Sequence, residues 1–149
     1  MNNQTIFVDL EQTLIESWHD HRICNRVKVS NFIKAHGNAV ELFSFAVWDE
    51  KDREKFETDL KYWLEEEHNL VFTKIHCLED IAKVIREFRG VQYETLNDVI
   101  TLHGKDRSLE DFCLAQNKTD WKFVLLDDVV QNKTIIFRDL NVEFNFVRC

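Results

Sequence analysis

Thr5-Ile6-Phe7-Val8-Asp9-Leu10-Glu11-Gln12-Thr13 is the stretch on which the fold turns. Ile6, Phe7 and Val8 form an uninterrupted apolar run, and a strand with apolar side chains on both faces belongs inside a parallel sheet. The run gives way to an acid, Asp9, and then to a polar turn. Lys122-Phe123-Val124-Leu125-Leu126 has the same form and ends in Asp127-Asp128. Val40 to Ala46 reads as another strand, with Ser44 interrupting it, and Asp98-Val99-Ile100-Thr101-Leu102 as a further core strand. Thr134 to Phe137 and Val142 to Val147 complete the set, while Val71 to Ile75 fits a strand or an extended connection.

Helical periods fill the gaps. Val29 to His36 is a short helix stopped by Gly37-Asn38. From Asp49 to about Glu67, Phe56, Leu60, Trp63 and Leu64 recur at helical spacing with charges between them. Leu78, Ile81, Ala82, Ile85 and Phe88 make a second apolar stripe that stops at Gly90. Ser108-Leu109-Glu110-Asp111 matches a helix-start pattern and would bury Leu109, Phe112 and Cys113. Strands alternating with helices predict an α/β fold: a mostly parallel sheet of five or six strands, covered on both faces. Sites in such sheets lie beyond the carboxyl ends of the strands.

The bulk composition agrees with one domain over residues 1–149, long enough for a sizeable core. Hydrophobic residues make up 44% and charged residues 31%, and twelve Phe and four Trp supply large apolar groups. Lys and Arg number 19 against 27 Asp and Glu, giving a net charge of −8. Such a surface repels phosphate backbones, so tight nonspecific nucleic-acid binding is not expected. A small phosphorylated substrate remains compatible with a locally positive or cation-bearing site. The N-terminus carries no signal-peptide pattern and no run is long enough to span a membrane, so a cytoplasmic protein is expected. Cys24, Cys77, Cys113 and Cys149 are then reduced thiols. Proline is absent, which removes one helix-stop signal.

Four polar positions stand at the ends of apolar elements: Asp9 with Glu11 and Thr13, Ser44, Lys105, and Asp127 with Asp128. In this order they resemble the motifs of the haloacid dehalogenase (HAD) superfamily, specifically a small-cap phosphatase-like member. That family carries a strand ending D-x-D-x-T, a strand ending in Ser or Thr, a Lys near a helix start, and a strand ending in an acidic pair. The counterparts here are Phe7 to Thr13, Leu42-Phe43-Ser44, His103-Gly104-Lys105 and Val124 to Asp128, spanning residues 5 to about 137.

The resemblance implies a Rossmann-like three-layer α/β/α sandwich and Mg²⁺-dependent phosphoryl transfer. Asp9 would be the nucleophile, forming an aspartyl-phosphate. Mg²⁺ would be held by Asp9, the backbone carbonyl of Glu11, and one or both of Asp127 and Asp128. Ser44 would donate its hydroxyl to a phosphate oxygen, Lys105 would place a positive charge between phosphate and carboxylates, and Thr13 would support the turn. Glu11 stands where the family has an Asp that protonates the leaving oxygen and activates water. Its arm is one methylene longer, and a misplacement of about 1 Å can reduce rate roughly 10²-fold. Gln12 stands where Gly is common, narrowing the turn, and Asp106 where Pro is common, placing a carboxylate that competes for Lys105.

The gaps from Asp9 to Ser44 and from Ser44 to Lys105 leave no room for a large cap domain. An open site would admit a nucleotide or a phosphorylated macromolecule end. Two readings follow: a phosphomonoester hydrolase, or a catalytically weak or inactive relative that binds a protein partner or nucleotide.

Other motifs carry less. Trp18-His19-Asp20-His21-Arg22-Ile23-Cys24 holds metal-ligand types, but no second cluster completes a tetrahedral set, so a polar loop is expected. His76 and Cys77 would point to opposite faces of a strand and not cooperate. Cys113 is expected in the core and Cys149 in a mobile terminus. Glu65-Glu66-Glu67 reads as a solvated helix end.

Overall fold

The computed structural model describes residues 3–91 and 95–149. Six strands form one sheet: β1 (Gln4–Val8), β2 (Ala39–Phe43), β3 (Val71–His76), β4 (Trp121–Asp127), β5 (Lys133–Phe137) and β6 (Val142–Arg148). Their order is β3-β2-β1-β4-β6-β5. All neighbours are parallel except β5, which runs antiparallel to β6 at the edge. The α/β class and the mostly parallel sheet are as the apolar runs predict, and Val71–His76 is a strand.

The helices are α1 (Arg26–His36), α2 (Glu50–Asp59), α3 (Lys61–His68), α4 (Leu78–Arg89), α5 (Leu96–Asp98) and α6 (Gly104–Leu114). No helix among the described residues is long and apolar enough to cross a membrane. Side chains alternate along each strand, so the central strands β1, β2 and β4 each feed two cores. Ile6, Val8, Leu42 and Val124 pack with Val29 and Phe32 of α1, Phe56 of α2 and Leu64 of α3. Phe7, Phe43, Phe123 and Phe144 pack instead with Ile81 and Ile85 of α4 and Leu109 and Phe112 of α6. The second core is rich in aromatic rings: the Phe123 and Phe144 rings stack at 5.1 Å and Phe7 meets Phe43 edge-on at 5.7 Å. That is where much of the phenylalanine goes.

Several expectations need correction. Residues 98–102 are not a strand: Asp98 ends α5, and Val99–His103 continues as a π-helical stretch. The cause lies just upstream, where the Thr95 hydroxyl accepts from the Asp98 amide and the Asp98 carboxylate accepts from the Thr95 amide. This reciprocal cap commits the apolar run that follows to a helix. The same pattern at Ser108 starts nothing, because Ser108 lies inside α6, fully buried, with its Oγ unpartnered. Leu109, Phe112 and Cys113 are nonetheless in the core.

The helix expected from Asp49 to Glu67 is two helices, parted at Leu60, whose φ of −120° is not helical. Phe56, Leu60 and Leu64 are all buried across that break, whereas Trp63 is partly exposed. Phe88, placed on the apolar stripe of α4, is also exposed. The acidic run is only partly solvated: Glu65 accepts from the Phe72 amide at 2.8 Å and Glu67 pairs with Arg26 at 3.0 Å. Cys149 is half-buried against the first core and tied down by its amide, which donates to the Asp127 carbonyl at 2.9 Å. A pairing neighbour, not distance from the chain end, sets its order.

The chain builds outward from β1 through β2 to β3 and then crosses back to place β4 on the other side of β1, so the winding reverses between β1 and β4. A crevice opens beyond the carboxyl ends of β1 and β4, the place where ligands bind in such sheets.

Candidate active site

Asp9 follows directly on β1, and its amide donates to the Leu126 carbonyl at 3.0 Å, extending the pairing with β4. In-register pairing of Val8 with Leu126 brings Asp9 alongside Asp127, the last residue of β4. Asp127 is fully buried. Its Oδ1 accepts from the Val129 amide at 2.8 Å, and its Oδ2 is buried without a hydrogen bond. One oxygen from each of Asp9, Asp127 and Asp128 lies within 4.8 Å of the others.

Lys105 enters from the start of α6. The preceding Gly104 has φ +68°, a left-handed value that favours glycine at the turn from the π-helical stretch into α6. The Lys105 side chain is only 8% exposed. Its Nζ donates to Asp9 Oδ1 at 3.0 Å and lies 3.0 Å from Asp127 Oδ2. The rings of Phe45 and Phe43 flank the ammonium, with centroids at 4.7 and 5.6 Å. Burial works against the charge of Lys105, but the Asp9 and Asp127 carboxylates outweigh it and hold its pKa above the ordinary lysine value.

Three carboxylates around one ammonium leave an excess of negative charge. Burial raises the Asp127 carboxyl, Lys105 opposes the rise, and the Asp9 charge adds to it. Asp128 is pushed up to about 7, first by burial, then by its hydrogen bond to Asp9 and by the Asp9 and Asp127 charges. A convergent all-oxygen donor set, with more carboxylate charge than Lys105 can neutralise, suits a hard divalent cation.

The structure brings the predicted residues together. Asp9, Glu11, Ser44, Lys105, Asp127 and Asp128 all line one cavity of about 560 Å³. Thr13 is fully buried beside it, donating a long hydrogen bond of 3.4 Å to Asp9 Oδ2. Ser44 is buried, and its Oγ accepts from the Ala46 amide at 3.2 Å. Asp106 does not compete for Lys105: it pairs with Lys133 at 2.5 Å and accepts from the Arg107 amide at 2.9 Å.

Glu11 differs from its neighbours. Its Oε2 accepts from the Trp18 amide at 2.6 Å, so the carboxylate braces the turn as well as lining the cavity. Gln12 has φ +62°, a conformation that explains why glycine suits this position, and its Nε2 donates to the Glu16 carbonyl at 2.6 Å. The segment from Trp18 to Cys24 is a loop held by its own bonds, including Arg22 to Asp20 at 2.7 Å. Among the described residues, the ligand-type side chains that converge are the three aspartates, not His19, His21 and Cys24. His76 pairs with Glu41 at 2.6 Å, while Cys77 is buried at the start of α4 with its thiol pKa raised by burial.

The cavity also takes walls that no sequence motif marks: Phe45, Trp48, Ile100 and Val129. Each sits within a few residues of a strand end or of Lys105, and that proximity is the signal that could have found them.

The chain matches no protein-family model, and searches of curated proteins and of solved structures return no significant match.

Proposed function

We propose that this chain is a HAD-like phosphomonoester hydrolase with a Rossmann-like α/β/α sandwich and no large cap, using Asp9 as nucleophile and Mg²⁺ as cofactor. The observation that carries the reading is Lys105 Nζ, at 3.0 Å from both Asp9 Oδ1 and Asp127 Oδ2, beside the third carboxylate of Asp128. An isolated surface triad would need no buried lysine. A buried lysine fixed between a candidate nucleophile and a candidate cation ligand is what transfer of a charged phosphoryl group requires. The four cysteines are free thiols, which accords with a reducing cytoplasm.

Asp9, Asp127 and Asp128, with the backbone carbonyl of Glu11, would hold Mg²⁺. When bound, the cation neutralises charge on the phosphoryl oxygens and cancels the excess negative charge of the three carboxylates. The side chains do the rest. Thr13 and Lys105 fix the two oxygens of Asp9, so the nucleophile is oriented before substrate arrives. Lys105 lowers the repulsion between that carboxylate and an incoming phosphate, and Ser44 offers its O–H to a phosphate oxygen. An Asp9 oxygen forms a bond to phosphorus as the ester P–O bond breaks. The electron pair leaves on the alcohol oxygen, which takes a proton from Glu11. Glu11 then removes a proton from water, whose oxygen attacks the phosphoaspartate and frees Asp9 with release of inorganic phosphate.

One observation favours a second reading, in which the site binds a phosphorylated ligand or partner and turns over slowly. The Trp18 amide holds the Glu11 carboxylate at 2.6 Å, which opposes its use as a proton carrier. Hydrolysis of 4-nitrophenyl phosphate with and without Mg²⁺ separates the two. Mg²⁺-dependent release that disappears in Asp9→Asn is the expected result, and activity surviving that change would remove Asp9 from its role. Glu11→Asp, too short to keep the bond to Trp18, is expected to raise the rate about tenfold. A folded, Mg²⁺-binding protein with no turnover in either form would favour the binding reading.

A further inference from the structure

Beside the polar Glu11, Gln12 and Asp128, the lining of the cavity carries two exposed apolar side chains. Trp48 is 46% exposed and Val129 66% exposed, and both line the same cavity as Asp9 and Lys105. Neither is a loose surface residue. The Trp48 amide donates to Asp52 Oδ2 at 3.1 Å and its carbonyl accepts from the Glu79 amide at 2.8 Å, pinning it between the starts of α2 and α4. The Val129 amide is held by Asp127 Oδ1. Exposed apolar side chains on fixed backbone, beside a charged cluster, lose water only when something covers them.

The sheet order gives the geometry. Trp48 follows β2 and Val129 follows β4, and these two strands flank β1, which leads into Asp9. Neighbouring strands lie about 4.8 Å apart, so the two connections start roughly 10 Å from each other across the nucleophile. Phe45 forms the inner wall, with its ring 4.7 Å from Lys105 Nζ. A group attached to a phosphate at Lys105 therefore leaves the site between an indole and an aliphatic wall. That slot suits a planar ring, which stacks on an aromatic face without regard to its hydrogen-bonding pattern.

We propose that the preferred substrates are phosphomonoesters whose leaving group carries a flat aromatic ring, stacked on Trp48 and faced by Val129. The proposal rests on the phosphate-site reading above and goes beyond it by naming the class of leaving group. A phosphotyrosine side chain and a nucleoside monophosphate share this chemistry.

The test measures affinity by calorimetry and turnover separately, on the full chain with Mg²⁺. The probes are phenyl phosphate, glycerol 3-phosphate, a phosphotyrosine peptide and AMP. Wild type is expected to bind phenyl phosphate about tenfold more tightly than glycerol 3-phosphate. Trp48→Ala should collapse that ratio to near one, and Trp48→Phe should restore most of it. A preference for the peptide or for AMP supports the proposal and identifies the source. Equal affinity for the aromatic and aliphatic esters in wild type overturns it, as does a Trp48→Ala protein that keeps the ratio or changes only its state of association. Discrimination in binding without turnover would leave the stacking site standing and remove the hydrolase reading. Turnover without discrimination would do the reverse.

Discussion

Lys105 shows how much one side chain can carry. It is nearly buried, and its charge is tolerated because two carboxylates face it at 3.0 Å. Removing one partner of such a buried arrangement strands the others. Lys105→Met should therefore destabilise the protein by about 3–5 kcal/mol, read from urea unfolding without metal. Added Mg²⁺ should return part of that loss, since a cation bound only by the native state stabilises it. No loss of stability in the variant would mean that the three aspartates do not need its charge. The residues of this cluster were legible in the sequence because each one interrupts or ends an apolar element or opens a helix, where a polar side chain needs a reason. Trp48 was not, because one Trp in a connection has no period and no spacing to mark it. The tie between Glu11 and the Trp18 amide was equally hidden, since backbone partners leave no trace in residue identity.

At the level of elements, the segment from Thr95 to Lys105 sets the position of the lysine. A short, mostly apolar stretch such as Val99-Ile100-Thr101-Leu102 fits a strand or a buried helix equally well by pattern. The deciding feature is the cap at Thr95, whose hydroxyl and the Asp98 carboxylate satisfy each other's backbone amides. Sequence reading assigns that pattern to Ser108, where the chain is already helical, and so misses the earlier start. Thr95→Ala should cost about 1 kcal/mol. The loss should concentrate locally, as faster amide hydrogen exchange over residues 99–105, and as weaker affinity for phosphate esters because Lys105 is less well held. Unchanged exchange in that stretch would show that packing, and not the cap, forms it. β1 and β4 were easier to read than this segment because both of their faces are covered, which forces an unbroken apolar run.

At the scale of the whole molecule, the buried histidines should contribute a pH-dependent share of the stability in a defined window. His68 is buried on α3, with its Nε2 2.8 Å from the Leu14 carbonyl. Burial lowers its pKa below the ordinary histidine value, and the Arg26 charge adds to that against the Leu14 bond. His36 moves the same way, through burial and the nearby Lys122. A lowered value means the unfolded chain takes up protons first. The stability contributed by neutral His68 is thus complete above about pH 6.5 and is lost as pH falls through that value toward the folded pKa. The urea midpoint of wild type relative to that of His68→Gln should fall between pH 7.5 and 5.5. The Asp128 carboxyl, raised to about 7, acts with the opposite sign, but it is common to both proteins and cancels in the comparison. Equal slopes would acquit His68. The two-core, mostly parallel plan was readable from the alternation of runs, whereas the choice of which core each helix joins depends on contacts between distant segments.

β1 and β4 pair residue for residue, Gln4 with Lys122 through Val8 with Leu126, although most of the polypeptide lies between them. Closing so long a loop is slow relative to making local contacts. During synthesis, the ribosome must therefore release the chain through Asp127 before Asp9 can meet it. Until then the first strand is an unpaired apolar edge on one side, exposed to other nascent chains and in need of shielding. Pairing of β1 with β4 thus marks the moment translation has delivered β4, with β5 and β6 still to be added on its far side.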